Sequence, residues 1–276
     1  MLNDVLNFNI KRELAMNIIV KQSKFRIWFE PVKIEPFAKL NLFCFPFAGG
    51  GCAVFKYWQD SFCRTNIYAL QLPGRERRIR EKPISDISKI VDQISDALQE
   101  KKNEPFGIFG HSMGALIGFE TIRLLKKKDF PAPLVFFPSA FRAPHIANPN
   151  KPIHFLPRMQ FIEELKTYGA TPQALIDDEE TMDLLLPMIR ADFSIHERYT
   201  YYQDQPLACP IMVHGGKDDC KVSSNDLKEW KLYTASSFSY TEHEGGHFFL
   251  MENRNSLLNS INIQLAKILT NIPTNI

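Results

Sequence analysis

Six short apolar runs, separated by helical patterns, restrict the fold of this chain more than any other feature. LNLFCF (40–45), NIYALQ (66–71), FGIFG (106–110), LVFFP (134–138), PIMVH (210–214) and FSYTEH (238–243) have the length and aromatic or β-branched content of strands. Between them, Ile87, Ile90, Val91, Ile94, Ala97 and Leu98 recur at helical spacing, and stretches 113–128, 226–233 and about 255–269 carry the same period. Strands apolar on both faces and linked by helices predict an α/β fold, a mostly parallel sheet flanked by helices.

Residues 144–206 break the alternation. They contain MQFIEELKTYG and EETMDLLLPMIRADF, both helical in pattern, but no strand. Sixty residues of helix exceed what a crossover needs, so this segment is expected to be a helical lid insertion over the strand ends. The core would then comprise 25–143 and 207–276. Residues 1–24 are polar and irregular, with a second methionine at Met16, and are expected to form a disordered N-terminal extension.

Bulk properties exclude several classes. A net charge of +2 is too mild for a nucleic-acid binder. The five cysteines (44, 52, 63, 209, 220) lack CxxC spacing, which points to reduced thiols in the cytoplasm and to no metal site. No secretory signal and no apolar run of membrane-spanning length is visible, so no membrane association is expected.

PFGIFGHSMGALIGFE (105–120) places Ser112 between a strand and a helix with a glycine two positions to either side. In this context G-x-S-x-G predicts a sharp turn that forces the serine into a strained conformation and presents its hydroxyl at the carboxyl end of the sheet. Side chains at the glycine positions would collide with the strand and helix. A serine needs a base to become a nucleophile. Of the seven histidines, His111 sits on the turn itself and reads as structural, while His145, His154 and His196 fall in or beside the insertion. His243 lies within a strand pattern. His247, in EGGHFFLMEN after the last strand, occupies the place of the base in the order serine, acid, histidine. The acid is sought in HGGKDDC (214–220), which offers Asp218 and Asp219. The developing oxyanion of an acyl transfer needs N–H donors. Met113, after the serine, supplies one, and Phe47 or Ala48 in FPFAGGG (45–51) the other. That glycine run has no Lys-Ser/Thr pair after it and is no P-loop; GxGxxG is absent, and no cofactor is expected.

Together these motifs resemble the type II thioesterases, the stand-alone editing hydrolases of nonribosomal peptide and polyketide synthesis within the α/β-hydrolase superfamily. FCFPFAGGG is similar to that family's oxyanion loop, LQLPGRERR (70–78) to its Pro-Gly-Arg segment, and GHSMGALIGFE to its nucleophile elbow. LLLPMIRADF (184–193) is similar to a lid motif, and HGGKDDCKVS and GGHFFL to the acid and base loops. The resemblance spans about 40–270 and implies an α/β-hydrolase fold with Ser112 as nucleophile and His247 as base. Its D-x-x-V pattern, met by Asp219 with Val222, favours Asp219 over Asp218 as acid. Thioesterase domains fused to synthases instead carry the acid near this chain's Ser139, where FFPSAF has no carboxylate.

The resemblance further implies a monomeric cytoplasmic thioesterase acting on acyl or peptidyl carrier protein domains that bear phosphopantetheine thioesters. Phe155, Met159, Leu165, Leu184 to Leu186 and Met188 are candidates for its acyl pocket, and Arg75, Arg77, Arg78 and Arg80 for a carrier-protein contact. Two other readings share the motifs: an esterase, lipase or acyltransferase on the same fold, and a non-catalytic binding protein.

Overall fold

The computed structural model describes residues 23–169 and 172–272, so most of the expected extension at 1–24 lies outside the described residues. At its edge, the Ser23 side chain caps a short helix α1 (Lys24–Trp28), which runs directly into strand β1 (Phe29–Lys33). The sheet continues through β2 (Leu40–Phe45), β3 (Thr65–Leu70), β4 (Phe106–His111), β5 (Val135–Ser139), β6 (Ile211–Gly216) and β7 (Phe238–His243). Its seven strands lie in the order β1-β3-β2-β4-β5-β6-β7, all neighbours parallel except β1 against β3. Six strands match the apolar runs within one or two residues. β1 is the unforeseen one: Pro31 and flanking charges hide it, and both suit an antiparallel edge with a register shift after Pro31.

β2, β4 and β5 are buried along their whole length. Alternate residues feed two cores, as the period of a strand requires. Phe43 and Phe45 pack with Ile94, Leu116 and Phe119 on one face. Leu42 and Cys44 pack with Phe109, Phe137, Leu257 and Ile261 on the other. The first face is covered by α2 (Ile87–Leu98) and α3 (Met113–Lys127), the second largely by α9 (Arg254–Thr270) and the turn-helix Cys52–Trp58. Asp86 caps α2 by accepting from the Ser88 and Lys89 amides. The expected helix over 226–233 is a short α7 (Ser224–Lys228) that tightens into a 3₁₀ turn over Glu229–Tyr233. The short α8 (Phe249–Glu252) precedes α9.

Among the described residues, three helices lie between β5 and β6: α4 (Arg158–Tyr168), α5 (Gln173–Ile176) and α6 (Glu179–Glu197). They enclose a small core of their own, with Phe161, Leu165, Met182, Leu186 and Phe193 buried. All five cysteines are free thiols, and no helix among the described residues is long and apolar enough to cross a membrane.

Candidate active site

The chain leaves β2 toward β3 on one side and returns to place β4 on the other. The crevice at the carboxyl ends of β2 and β4 is therefore a topological switch point, the usual ligand position in open parallel sheets. Ser112 stands there at the turn from β4 into α3, with φ 53° and ψ −121°. A bond from its own amide to the Ser139 carbonyl (2.8 Å) pins that conformation to β5. The neighbouring glycines are required by close approach. A Cβ at Gly110 would overlap the backbone of Gly114, and one at Gly114 would overlap the carbonyl of Phe45.

His247 arrives from the loop after β7. Its Nε2 lies 3.0 Å from Ser112 Oγ, and its Nδ1 lies 2.8 Å from Asp219 Oδ2. The carboxylate is wholly buried at the end of β6, and its other oxygen accepts from the amides of Lys221 (2.8 Å) and Val222 (3.2 Å). Those two bonds fix the carboxylate plane and explain the D-x-x-V spacing: Val222 is the residue whose amide the carboxylate holds. Asp218 is exposed beside it and takes no part.

His111 lies beneath this line of groups. Its Nε2–H donates to the His247 carbonyl (2.8 Å), so its Nδ1 accepts from the Ser139 hydroxyl (2.9 Å). Burial, reinforced by the His247 ring nearby, holds the His111 imidazole well below its ordinary range, and it stays neutral. The His247 carbonyl thus fixes the His111 tautomer, and the strand position that carries no acid carries a serine whose hydroxyl satisfies the other nitrogen.

Phe47 and Ala48, in the loop after β2, border the same space as Ser112, and Met113 opens α3 directly after it. The Met113 amide, as a first-turn donor, has no carbonyl one turn behind it. The glycine loop is held by groups that sequence reasoning assigned elsewhere. Arg75 bonds Asp192 of α6 through both oxygens (2.7 and 2.6 Å) and also donates to the Gly50 carbonyl (2.7 Å). Asp192 in turn accepts from the Gly49 amide (2.8 Å). Glu76 accepts from the Cys52 and Ala53 amides, both at 2.9 Å.

Of the four arginines read as a carrier-protein contact, two are internal, while Arg77 and Arg80 remain exposed. Arg75 and Arg78 are buried, Arg78 stacks on Trp28 and pairs with Glu81, and Arg77 pairs with Glu30. The signal was present: Arg75 and Asp192 fall in the two family-like segments LPGRERR and LLLPMIRADF, whose joint purpose a linear reading does not reveal.

Above Ser112 lies a cavity of about 140 Å³ roofed by α4 to α6. Of the expected lining residues, Leu165, Leu185 and Met188 border it, with Ile189, Phe193 and Phe248. Phe155, Met159 and Leu184 do not; they point outward and are among the most exposed apolar side chains. Leu186 belongs to the buried core of the helical segment. A larger cleft, about 850 Å³ between α2, α3 and the end of α6, has no contact with Ser112. Among the described residues no group of three His, Cys, Asp or Glu side chains is placed to hold a metal ion.

Fold and site together define an α/β-hydrolase with a serine, a histidine and an aspartate aligned at the sheet's carboxyl rim. A family model described as "Thioesterase domain" matches residues 40–265, and the chain belongs to that thioesterase family. It is 40% identical over 243 residues to the gramicidin S biosynthesis protein GrsT of Aneurinibacillus migulanus, covering 88% of this chain and 95% of the relative. It is 34% identical to the medium-chain S-acyl fatty acid synthase thioesterase of Homo sapiens over 81% of this chain and 86% of that one. The type II thioesterase BorB from the borrelidin biosynthetic cluster superposes with a TM-score of 0.79 at 31% identity, over 88% of this chain and 98% of BorB. The protein is a thioester hydrolase.

Proposed function

We propose that the enzyme hydrolyses acyl thioesters on the phosphopantetheine arm of carrier proteins, as an editing or release activity of nonribosomal peptide or polyketide synthesis. The observation that carries this reading is the unbroken line Asp219–His247–Ser112 beneath a mainly apolar cavity. Ser112 gives its proton to His247 Nε2 as Oγ attacks the thioester carbonyl. The Met113 amide, with that of Phe47 or Ala48, holds the oxyanion. Collapse expels the pantetheine sulfur, which takes the proton from His247. His247 then deprotonates water, which attacks the acyl-serine and frees the acid and Ser112. Asp219 keeps the Nδ1 proton in place and so leaves Nε2 as the base.

Residues 144–206 act as a lid that shapes the acyl pocket and admits the arm. The enzyme works as a cytoplasmic monomer, with carrier protein domains as its partners. GrsT and BorB, both named for biosynthetic clusters or products of this kind, support the substrate class. The medium-chain relative raises a longer acyl chain as a second possibility, which the size of the cavity disfavours. A void of roughly 150 Å³ takes a benzene-sized molecule, so about 140 Å³ suits a short acyl group.

The test is release of short and medium acyl groups from a loaded carrier protein, followed by mass spectrometry with Ser112→Ala as control. Release by the wild type alone, faster than from matched oxygen esters, is the expected result. Hydrolysis of simple esters without release from the carrier would overturn the substrate class.

A further inference from the structure

The cavity over Ser112 is apolar on nearly every side, which makes one of its walls anomalous. His196, near the end of α6, borders it beside Phe193 and Met188. The imidazole forms no hydrogen bond among the described residues, and its Nδ1 is buried without a partner. An orphaned polar atom of this kind is costly where an aliphatic residue would fill the space, and such exceptions call for an explanation. The ring also borders a second cavity of about 450 Å³, lined by Arg142, His145, Asn148 and Glu197, so it stands as the partition between the two.

The chemistry of that partition is specific. Burial pushes His196 down to about 4, with Glu197 opposing and Arg142 reinforcing the shift, so the ring is neutral at pH 7. The Asp192 carbonyl, one helical turn back, acts on the ring but falls short of hydrogen-bond geometry at Nδ1. In the tautomer that points its proton from Nδ1 toward that carbonyl, Nε2 keeps a free lone pair. Nε2 is not among the enclosed atoms, and the ring that carries it borders the cavity over Ser112. Tyr168, whose ring packs against Phe193, adds a hydroxyl to the same wall. A site that presents an unpaired acceptor discriminates in favour of a ligand that supplies a donor.

We propose that His196 is a specificity-determining residue that selects acyl groups bearing a hydrogen-bond donor, a hydroxyl or an amino group, within a few atoms of the thioester carbonyl. The short distance follows from the cavity: a space of about 140 Å³ that includes both Ser112 and His196 leaves room for only a few carbons between them. The inference rests on the thioesterase reading of the site.

The test uses four thioesters of one chain length on N-acetylcysteamine: butyryl, 3-hydroxybutyryl, 2-aminobutyryl and 3-oxobutyryl. Their kcat/KM values are compared in the wild type, His196→Leu and His196→Gln. The wild type should prefer a donor-bearing substrate over butyryl by about tenfold, the scale of one hydrogen bond, and should not prefer the oxo compound. His196→Leu should bring the ratio near one, and His196→Gln should restore part of it, which a purely structural role would not do. Binding of ketone analogues, with methylene in place of sulfur, to Ser112→Ala and Ser112→Ala/His196→Leu gives the same ratio without turnover. Hydroxyl and amino compounds separate the two donor sources. Ratios unchanged by His196→Leu in both turnover and binding overturn the proposal, and equal gain for the oxo compound overturns its donor requirement. Failure of the wild type to hydrolyse any of the four would count against the thioesterase reading, while analogue binding would still decide the part played by His196.

Discussion

The rim that carries Ser112 and the helical segment above it are built on opposite terms. At the rim, position is set by backbone: a serine held at positive φ, glycines that admit no Cβ, and amides that hold the Asp219 carboxylate. In the segment between β5 and β6, position is set by side chains, a small apolar core and one buried ion pair, Asp192 with Arg75, that braces the glycine loop. The difference teaches where tolerance lies. The rim tolerates little change in the backbone that sets its geometry, whereas the pocket wall can change residue by residue.

The widest gap between the two regions should appear with Ser112→Ala. Its kcat should fall by about 10⁴-fold or more, with little change in thermal midpoint. Loss of both together would mean that the serine hydroxyl also supports the fold. Gly114→Ala attacks the same rim through its backbone. Its Cβ meets the Phe45 carbonyl, and a loss of more than about 4 kcal/mol in urea unfolding, or failure to fold, is expected.

Asp192→Asn probes the link between the regions. It leaves Arg75 buried with a weakened partner and should cost about 3 kcal/mol, while also lowering kcat through the Gly49 amide. The double variant Arg75→Met/Asp192→Leu should recover much of the stability but not the kcat. Additive losses would show that the pair is not a unit.

Acid should loosen the rim through its buried rings. His214 is pushed down to about 3, mainly by burial, and burial also lowers His243 and His111. The unfolded rings titrate near 6.5, so the unfolded chain binds more protons below that value, and stability falls as pH drops toward the folded values. Each fully buried ring should cost roughly 2 kcal/mol at pH 5 relative to pH 8. Lowered carboxylates such as Asp96 and Glu81 act only below their unfolded range near 4, outside this window. Unfolding midpoints equal at pH 8 and pH 5 would contradict the burial of these rings. At the small end, Phe155→Ser removes an outward side chain from the helical segment and should change stability by less than about 0.5 kcal/mol.

The rim was far more legible in the sequence than its cover. Ser112, His247 and the glycines announce themselves because backbone geometry at a strand–helix turn admits few residue types. Asp219 was separable from Asp218 only through a spacing whose reason, the amide of Val222, is visible in three dimensions. The Arg75–Asp192 pair spans 117 positions, and no local pattern distinguishes an arginine in an internal ion pair from one in a solvated loop. For the same reason Phe155, Met159 and Leu184 read as pocket residues: apolar character tells that a side chain avoids water somewhere, not which face of its segment it occupies. β1 was missed because Pro31 makes it resemble a loop, although an edge strand tolerates it.

The ion pair between Arg75 and Asp192 also sets a rule for recombination. Exchanging the segment 144–206 among related enzymes would transplant a whole pocket wall while leaving Ser112 untouched. Such a chimera inherits a compatibility requirement: the incoming cassette must bring a carboxylate to the place of Asp192, or the recipient's arginine and the Gly49 amide are stranded together. Matching that one residue before any pocket residue is the first criterion for choosing donors.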